Sequence, residues 1–345
     1  MFEAFVMLCS LEATDVCRAA LLPGHASIDR VECELSALMA EIGFEGVIVS
    51  GGVYCKERPA SALEFEEVAP GVFVHTGAVA EPGLNNQGDT SNIGFVVGED
   101  AIAVIDAGGT RALGEAVYLA IREVSQKPIR YAILTHMHPD HVFGAVPLQE
   151  AGAKVIAHQR LPRALADRSQ TYLDRYADLI AEVDFMGTEV PVVDAVVEFE
   201  TSIDLGGRTL DLVPRETAHT TNDMTVFDSE TRLLFSGDLV VENHIPTLDG
   251  SLRGWISVLQ VMCEERADGV VPGHGKAVLF WPESVVPMLS YLEGLVRDAR
   301  AEIEAGTSLA EAIERIGMDQ ADRWSLFDVY NPRNATVAYT ELEWE

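Results

Sequence analysis

The sequence lacks any run of about 18 to 20 uninterrupted apolar residues, the length that a helix needs to span a membrane. It is also poor in basic residues, since 24 Lys and Arg stand against 55 Asp and Glu, for a formal net charge of −31. A surface this acidic repels the phosphate backbone of nucleic acids. The two shortages predict no membrane span and no nucleic-acid ligand, and they leave a small molecule as the expected partner.

Cysteine is scarce and unevenly placed. Only five are present, and four of them fall near the start of the chain: Cys9, Cys17, Cys33 and Cys55. No C-x-x-C pair occurs, which disfavours a zinc knuckle. Four cysteines in so short a segment favour two disulfides and an oxidising compartment over buried free thiols, and the sequence leaves their pairing open.

The chain divides by pattern into three parts. Residues 1–65 are predicted to form a small helical segment that carries the four cysteines, residues 66–283 the central domain, and residues 284–345 a helical extension that packs on it. The central part mixes short β runs and hairpin turns with helical spacing. This mixture predicts an α/β sandwich with mixed sheets and not a doubly wound parallel sheet.

A cluster of potential metal ligands directly follows a predicted buried strand. Residues 135–141 read T-H-M-H-P-D-H, so three of the chain's nine histidines fall within six positions. Imidazole nitrogens and carboxylate oxygens are ligands that zinc accepts readily. One cation cannot conveniently use four ligands from one short loop, so His136, His138, Asp140 and His141 predict two adjacent cations.

Three single candidates lie at later strand ends. His219, Asp238 and His274 each follow a predicted strand, and glycine adjoins the last two, where it permits a sharp turn. Each alone is typical of a turn. Together they are expected to meet at one edge of a sheet, where functional sites usually form.

The motif H-x-H-x-D-H over residues 136–141, followed in order by His219, Asp238 and His274, resembles the metallo-β-lactamase-fold hydrolases over roughly residues 68–282. The resemblance implies an αββα sandwich of two mixed sheets flanked by helices, with two zinc ions at the open edge between the sheets. It assigns His136, His138 and His219 to the first zinc, Asp140, His141 and His274 to the second, and Asp238 to both. Asp106, at another strand end, matches a family aspartate that could orient a ligand histidine.

The resemblance also implies a mechanism. Two zinc ions about 3.5 to 4 Å apart share a bridging hydroxide, whose conjugate-acid pKa falls to near 7. Asp140 or Asp238 would accept and return the proton. No G-x-S-x-G sequence occurs, which disfavours a serine nucleophile. Lactam-hydrolysing members tend to carry Cys or Ser near the position of Asp238, so an ester, thioester or lactone is the expected substrate.

A narrower resemblance bears on the compartment. Residues 92–95, 245–255 and 341–345 are similar to zinc metallohydrolases associated with quinoprotein relay systems and sulfur-oxidation clusters, which are generally exported. This favours the periplasm. The start of the chain instead leaves the cytoplasm open, because Glu3 and no Lys or Arg precede the short apolar run over residues 4–9, unlike a signal peptide.

Two other functions fit the same residues. The first is an iron-dependent sulfur or persulfide oxygenase on the same scaffold, although di-iron members usually have a carboxylate at the position of His138. The second is a non-catalytic metal-binding accessory protein of a periplasmic oxidation pathway. Asn243 and His244, shortly after Asp238, are candidates to border the substrate cleft and fit an exposed loop equally well.

Overall fold

The computed structural model describes residues 1–39 and 43–344. Residues 40–42 of the predicted N-terminal segment, and Glu345 at the end of the C-terminal motif, lie outside these ranges. Within the described ranges the strands form three sheets. None of the helices in those ranges is both long and apolar enough to cross a membrane.

The N-terminal segment is mainly a three-stranded antiparallel sheet. It contains β1 (Phe2–Ser10), β2 (Cys17–Ser27), helix α1 (Arg30–Ala37) and β3 (Val47–Glu57), with β1 in the centre. The prediction of a helical segment is therefore wrong. Seven of the nine residues of β1 are buried, and a short apolar run buried on both faces cannot be distinguished from a buried helix by periodicity.

Both expected disulfides are present in this segment. Cys9 pairs with Cys17, which lies directly opposite it in the β1–β2 ladder, and Cys33 on α1 pairs with Cys55 on β3. The bridges therefore tie the helix and the strands of a small sheet whose core is too limited to be held by burial alone.

The central domain begins with a seven-stranded mixed sheet. Its strands follow the order β10-β9-β8-β7-β6-β5-β4, antiparallel from β4 to β7 and parallel from β7 to β10. In chain order these strands and the helices between them are β4 (Glu66–Ala69), β5 (Val72–His75), β6 (Ile93–Val97), β7 (Ile102–Ile105), α2 (Arg111–Val124), β8 (Ile129–Leu134), α3 (Pro139–Val142), α4 (Ala145–Glu150), β9 (Lys154–His158), α5 (Leu161–Leu179), α6 (Glu182–Phe185) and β10 (Ala195–Val197).

A five-stranded mixed sheet and the C-terminal helices complete the chain. The strands follow the order β11-β12-β13-β14-β15 and are antiparallel except for β14 with β15. The elements are β11 (Thr201–Asp204), β12 (Thr209–Pro214), β13 (Met224–Asp228), β14 (Leu233–Val241), α7 (Leu252–Met262), β15 (Gly269–His274), α8 (Val285–Glu304), α9 (Leu309–Ala312), a 3₁₀ helix (Met318–Arg323) and α10 (Phe327–Leu342).

The two larger sheets pack face to face with helices outside them. Their inner faces meet in one apolar core that includes Val74 and Ile133 from one sheet and Leu212 and Phe235 from the other. A second core lies between the seven-stranded sheet and helices α2 and α5, and a third between the five-stranded sheet and α7, α8 and α10. The predicted αββα sandwich is confirmed, as are the C-terminal helices.

Candidate metal centre

The predicted ligands converge at the end of the sandwich where β8, β14 and β15 finish. The loop after β8 carries His136 and His138, and α3, which begins at Pro139, carries Asp140 and His141. His219 lies in the loop between β12 and β13, and His274 ends β15. Asp238 lies within β14, where the ladder register shifts beside Gly237.

Gly237 is what allows β14 to pass the His136 loop. Its φ is +51°, a backbone conformation that residues with a side chain rarely adopt. A β-carbon added there would lie 2.5 Å from Oγ1 of Thr135. The strand therefore bends against the loop and presents the next side chain, Asp238, towards the histidines.

Four of the side chains form a first donor set. His138 Nδ1 lies 3.1 Å from His136 Nε2 and 3.0 Å from His219 Nε2. Oδ2 of Asp238 lies 3.8 Å from the ligating nitrogen of His136 and 3.5 Å from that of His219. Two ligands of a tetrahedral zinc ion bound at about 2.0 to 2.1 Å are roughly 3.3 to 3.4 Å apart, so these separations fit one ion.

The other three side chains form a second set that shares Asp238 with the first. Oδ2 of Asp140 lies 3.7 Å from His141 Nε2 and 3.6 Å from His274 Nε2. Asp238 approaches His274 Nε2 with Oδ2 at 3.2 Å and His141 Nε2 with Oδ1 at 3.3 Å. Its carboxylate thus lies between the two sets.

Two buried atoms between the donor sets indicate whether cations fit the site. His141 Nε2 and Asp238 Oδ1 are buried and make no hydrogen bond within the described residues. A buried polar atom without a partner costs free energy unless a ligand satisfies it. Imidazole nitrogens and carboxylate oxygens facing one another at these distances are a donor set that suits a divalent cation.

The second nitrogen of each ligand histidine is held by a fixed acceptor. Such contacts select the tautomer and orient the ring towards a metal. The donor and acceptor pairs are His136 Nδ1 with Thr135 Oγ1 at 3.0 Å, His138 Nε2 with Asp249 Oδ2 at 3.3 Å, His141 Nδ1 with Asp106 Oδ2 at 2.8 Å, His219 Nδ1 with the Thr247 carbonyl at 2.6 Å, and His274 Nδ1 with the Thr90 carbonyl at 2.7 Å.

Asp106 supports both donor sets. Besides the bond from His141, its carboxylate accepts hydrogen bonds from the backbone N–H and the Oγ1 hydroxyl of Thr135, both at 2.8 Å. That hydroxyl in turn accepts from His136. The residue predicted to orient one histidine is therefore placed to orient one from each set.

Burial and neighbouring charges shift the pKa values of the ligand histidines in opposite directions. Burial lowers the pKa of His219 to about 3, and burial with the charge of His141 lowers the pKa of His136 well below its ordinary value. Burial also opposes protonation of His141, but the carboxylates led by Asp238 outweigh it and raise its pKa well above the usual range. Although burial disfavours a charged Asp238, His274 and His141 hold its pKa well below the usual range. Cations entering the site would displace the protons that these histidines carry.

The sequence model of the Metallo-beta-lactamase superfamily matches residues 86–274, which include all seven converging side chains. The chain belongs to this superfamily. The match is to the superfamily as a whole, so it does not single out the narrower group of exported metallohydrolases.

Relatives of known name come from different branches of the superfamily. The chain is 24% identical to Coenzyme F420H(2) oxidase of Methanothermobacter marburgensis, over 75% of this chain and 55% of the oxidase, so it spans about half the length of that relative. It is 27% identical to Acyl-coenzyme A thioesterase MBLAC2 of Homo sapiens, over 54% of this chain and 74% of the thioesterase.

Solved structures of the superfamily agree in fold. A metallo-beta-lactamase from Pontibacter korlensis matches with a TM-score of 0.54 and 21% identity, over 67% of this chain and 99% of that one. The sec-alkylsulfatase Pisa1 from Pseudomonas sp. matches with a TM-score of 0.62 and 15% identity, over 81% of this chain and 50% of that one. At these identities the likeness establishes the metallo-β-lactamase fold and no particular substrate.

A cavity of about 300 Å³ opens over the metal centre. It is bordered by Asp140, Asp238 and His274, by one face of α5, and by α10 of the C-terminal helices. Its volume is at the lower end for a small-molecule site. The C-terminal helices thus contribute a wall of the site in addition to packing on the sandwich.

The two substrate candidates near Asp238 have different positions. His244 lines the cavity and stacks on His274, with ring centroids 4.6 Å apart. Burial, with the charge of His274, lowers the pKa of His244 to about 4, and its Nδ1–H donates to the carbonyl of Ile245, so Nε2 remains as an acceptor. Asn243 is not among the described residues that line the cavity, and its backbone carbonyl accepts from Ser325.

The loop between β5 and β6 supports the centre and is itself held by a titratable pair. It places Thr90, whose Oγ1 donates to Asp140 at 3.2 Å. At its start, His75 donates from Nδ1 to the carbonyl of Glu64 and lies 2.9 Å from Oδ2 of Asp89. Burial lowers the pKa of His75, but the Asp89 carboxylate and the Glu64 carbonyl outweigh it, so the pKa is raised overall.

We expect the His75–Asp89 pair to stabilise the protein at low pH. A histidine whose pKa is raised by folding contributes stability fully below its unfolded pKa of about 6.5, and loses it as the pH rises through the folded value. In urea titrations of chelated protein, His75→Gln should therefore cost more free energy of unfolding at pH 6 than at pH 9. An equal cost at both pH values, or the same pH dependence in Asp89→Asn and wild type, would contradict this.

Proposed function

We propose that this superfamily member is a zinc-dependent hydrolase that cleaves a carbonyl-type bond of a small molecule at a pair of metal ions. The observation that carries the proposal is the position of Asp238, whose carboxylate faces His141 and His274 of one donor set and His136 and His219 of the other. When bound, two such ions lower the pKa of water to about 7 and polarise a carbonyl oxygen.

The side chains of the chain supply orientation and proton transfer. Both aspartates border the cavity, but Asp238 faces ligand nitrogens with both of its oxygens. Asp140 uses Oδ2 towards His141, His274 and the Thr90 hydroxyl. Since its other oxygen accepts no hydrogen bond among the described residues, we assign to Asp140 the transfer of a proton from the attacking water to the leaving group.

An ester or thioester is the substrate class that we favour. The relative named as an acyl-coenzyme A thioesterase acts on a thioester, and its match covers 74% of its length. The donor set of three imidazoles and a shared carboxylate is one that zinc accepts readily. We further propose, from the narrower resemblance and the two disulfides, that the protein acts in the periplasm alongside a quinoprotein relay system.

The relative named as an oxidase motivates the second candidate, an iron-dependent sulfur or persulfide oxygenase. We rank it second because His138 supplies an imidazole to the first donor set and is held by Asp249 in the orientation that this requires. An oxygenase would consume O₂ with a persulfide substrate, whereas a hydrolase would not.

Metal analysis and a substrate panel test the proposal together. Protein purified without added metal should contain about two zinc ions per chain. It should hydrolyse members of a panel of esters, thioesters and lactones, lose this activity on dialysis against a chelator, and regain it with zinc. Iron as the resident metal with O₂ consumption would favour the oxygenase. A fully metallated protein inert across the panel would favour the accessory role.

A further inference from the structure

Three arginines and no lysine surround the cavity over the metal centre. They are Arg168 and Arg175, two turns apart on α5, and Arg333 on α10. The whole chain has only 24 Lys and Arg against 55 Asp and Glu. A concentration of guanidinium groups at one opening of so acidic a protein points to a role specific to that opening.

Two of the arginines already have carboxylate partners. Arg168 forms an ion pair with Asp249, the residue that accepts from His138, and lies 3.3 Å from the Tyr172 hydroxyl. Arg175 lies 3.4 Å from a carboxylate oxygen of Glu81. Their charges are therefore compensated within the wall of the cavity.

Arg333 has no carboxylate partner within the part of the chain that the structure describes. Its contact there is with the ring of Tyr330, whose centroid lies 5.8 Å from the guanidinium carbon. The Tyr330 ring lies 5.4 Å from that of His244, which stacks on the ligand His274. Arg333 thus borders the same cavity as the metal centre, and the rings of Tyr330 and His244 lie between it and the ligand His274.

Once the ion pairs are set aside, the charge that remains on the wall of the cavity is positive. Asp140 and Asp238 face the donor sets, where two divalent cations would more than neutralise their charge. Asp249 is paired with Arg168. With metals bound, Arg333 is the charge on the wall that lacks a counterpart, and a planar guanidinium matches a carboxylate through two parallel hydrogen bonds.

We propose that this cavity selects substrates that carry a carboxylate away from the scissile bond, and that Arg333 binds this carboxylate. The inference rests on the proposed hydrolase function and names its substrate class, a small anionic ester or thioester. Tyr330 and Tyr172 provide the flat walls along which the body of the substrate lies. Arg168 has a supporting role, because its charge is already compensated by Asp249.

Binding of a matched ligand pair tests the site without any turnover. 4-Acetamidobenzoate carries the carboxylate on a rigid ring, and 4-acetamidobenzamide, a carboxamide outside the proposed substrate class, is the neutral counterpart. Titration calorimetry on zinc-loaded wild type should give the acid a Kd at least about tenfold lower, as one charge-assisted contact supplies. Arg333→Met should bring the ratio of the two Kd values close to one, and Arg333→Lys should retain part of the preference.

A control on α5 separates the site from general surface charge. Arg163 is exposed, pairs only with Asp167 within the described residues, and does not line the cavity. Arg163→Met should keep the wild-type preference. If the acid has no advantage in wild type, or if its advantage survives in Arg333→Met because the carboxylate binds the metals directly, the proposal is overturned.

Hydrolysis of the corresponding thioesters tells the two proposals apart. S-acetyl-4-mercaptobenzoate and its methyl ester differ in charge and also in leaving-group reactivity, so the kcat/KM of each compound is compared between wild type and Arg333→Met, and the rigid ring keeps the carboxylate from attacking its own thioester. Turnover of both with equal kcat/KM in wild type and Arg333→Met would leave the hydrolase standing without this site. A tenfold preference in binding without turnover of either compound would leave the site standing without the hydrolase.

Discussion

Replacing Asp238 by asparagine is expected to remove metal from both donor sets and to lower the rate of hydrolysis by at least about a thousandfold. The lower bound follows from the loss of both cations, because polarisation of a carbonyl oxygen by a metal is worth several kcal/mol and about 4 kcal/mol corresponds to a thousandfold in rate. The Asp238 carboxylate has an oxygen within 3.8 Å of the ligating nitrogens of His136 and His219 in one set and of His141 and His274 in the other. An amide keeps the shape but loses the negative charge and presents an N–H₂ to at least one set.

Metal content per chain is the measurement that separates this residue from the other ligands. Asp238→Asn should contain close to no zinc, whereas His219→Ala, which alters only the first set, should retain about one ion per chain. Asp211→Asn, an isosteric change on β12 whose carboxylate accepts from Ser202, is the control and should match wild type. Retention of two zinc ions in Asp238→Asn would refute the shared-ligand arrangement.

The sequence predicted the donor sets because their chemistry is rare. Histidine occurs nine times, and a cluster of three with an aspartate directly after a buried strand is seldom found outside metal sites. The residues that orient the ligands were harder to find. Thr247 and Thr90 act through backbone carbonyls, which every residue has, and Asp249 lies 111 positions from His138 in a loop without a local pattern.

The same distinction applies to the fold. Some elements are indicated by a local sequence pattern, and others depend on tertiary packing. The spacing of Leu113, Val117 and Ile121 indicates helix α2, because these apolar residues share a face and join the core beside the sheet. The sequence pattern does not indicate strand β1, because both of its faces are covered and its apolar run has no period. The wall that α10 contributes to the cavity depends on how the C-terminal helices return across the sandwich, and no single window of sequence contains that information.

Removing the charge of Arg111 should destabilise the folded protein more than any change at an exposed arginine. Its guanidinium is 1% exposed and donates to Glu115 at 2.9 Å, to both carboxylate oxygens of Glu150 at 2.8 and 2.6 Å, and to the carbonyl of Leu21 on β2 at 2.9 Å. It therefore ties the N-terminal sheet to α2 and α4. Arg111→Met leaves Glu150 and the Leu21 carbonyl without this partner, while Glu115 keeps its ion pair with Arg18. Losing hydrogen bonds to a charged group of this kind typically costs about 1.5 to 3 kcal/mol.

The pair Arg30–Glu34 provides a control with the same geometry and different burial. Both pairs are four residues apart on a helix and join Nε to Oε1 at 2.9 Å, but the Arg30 side chain is 61% exposed. Exposed pairs of this kind contribute about 0.3 to 0.5 kcal/mol, so Arg30→Met should scarcely move the urea midpoint. Adding Glu150→Gln to Arg111→Met should restore part of the lost free energy, because the Glu150 carboxylate is the one left without its partner, whereas Glu115 still pairs with Arg18. Equal midpoint shifts for Arg111→Met and Arg30→Met would instead mean that burial of this network contributes nothing to holding the N-terminal sheet on the central domain.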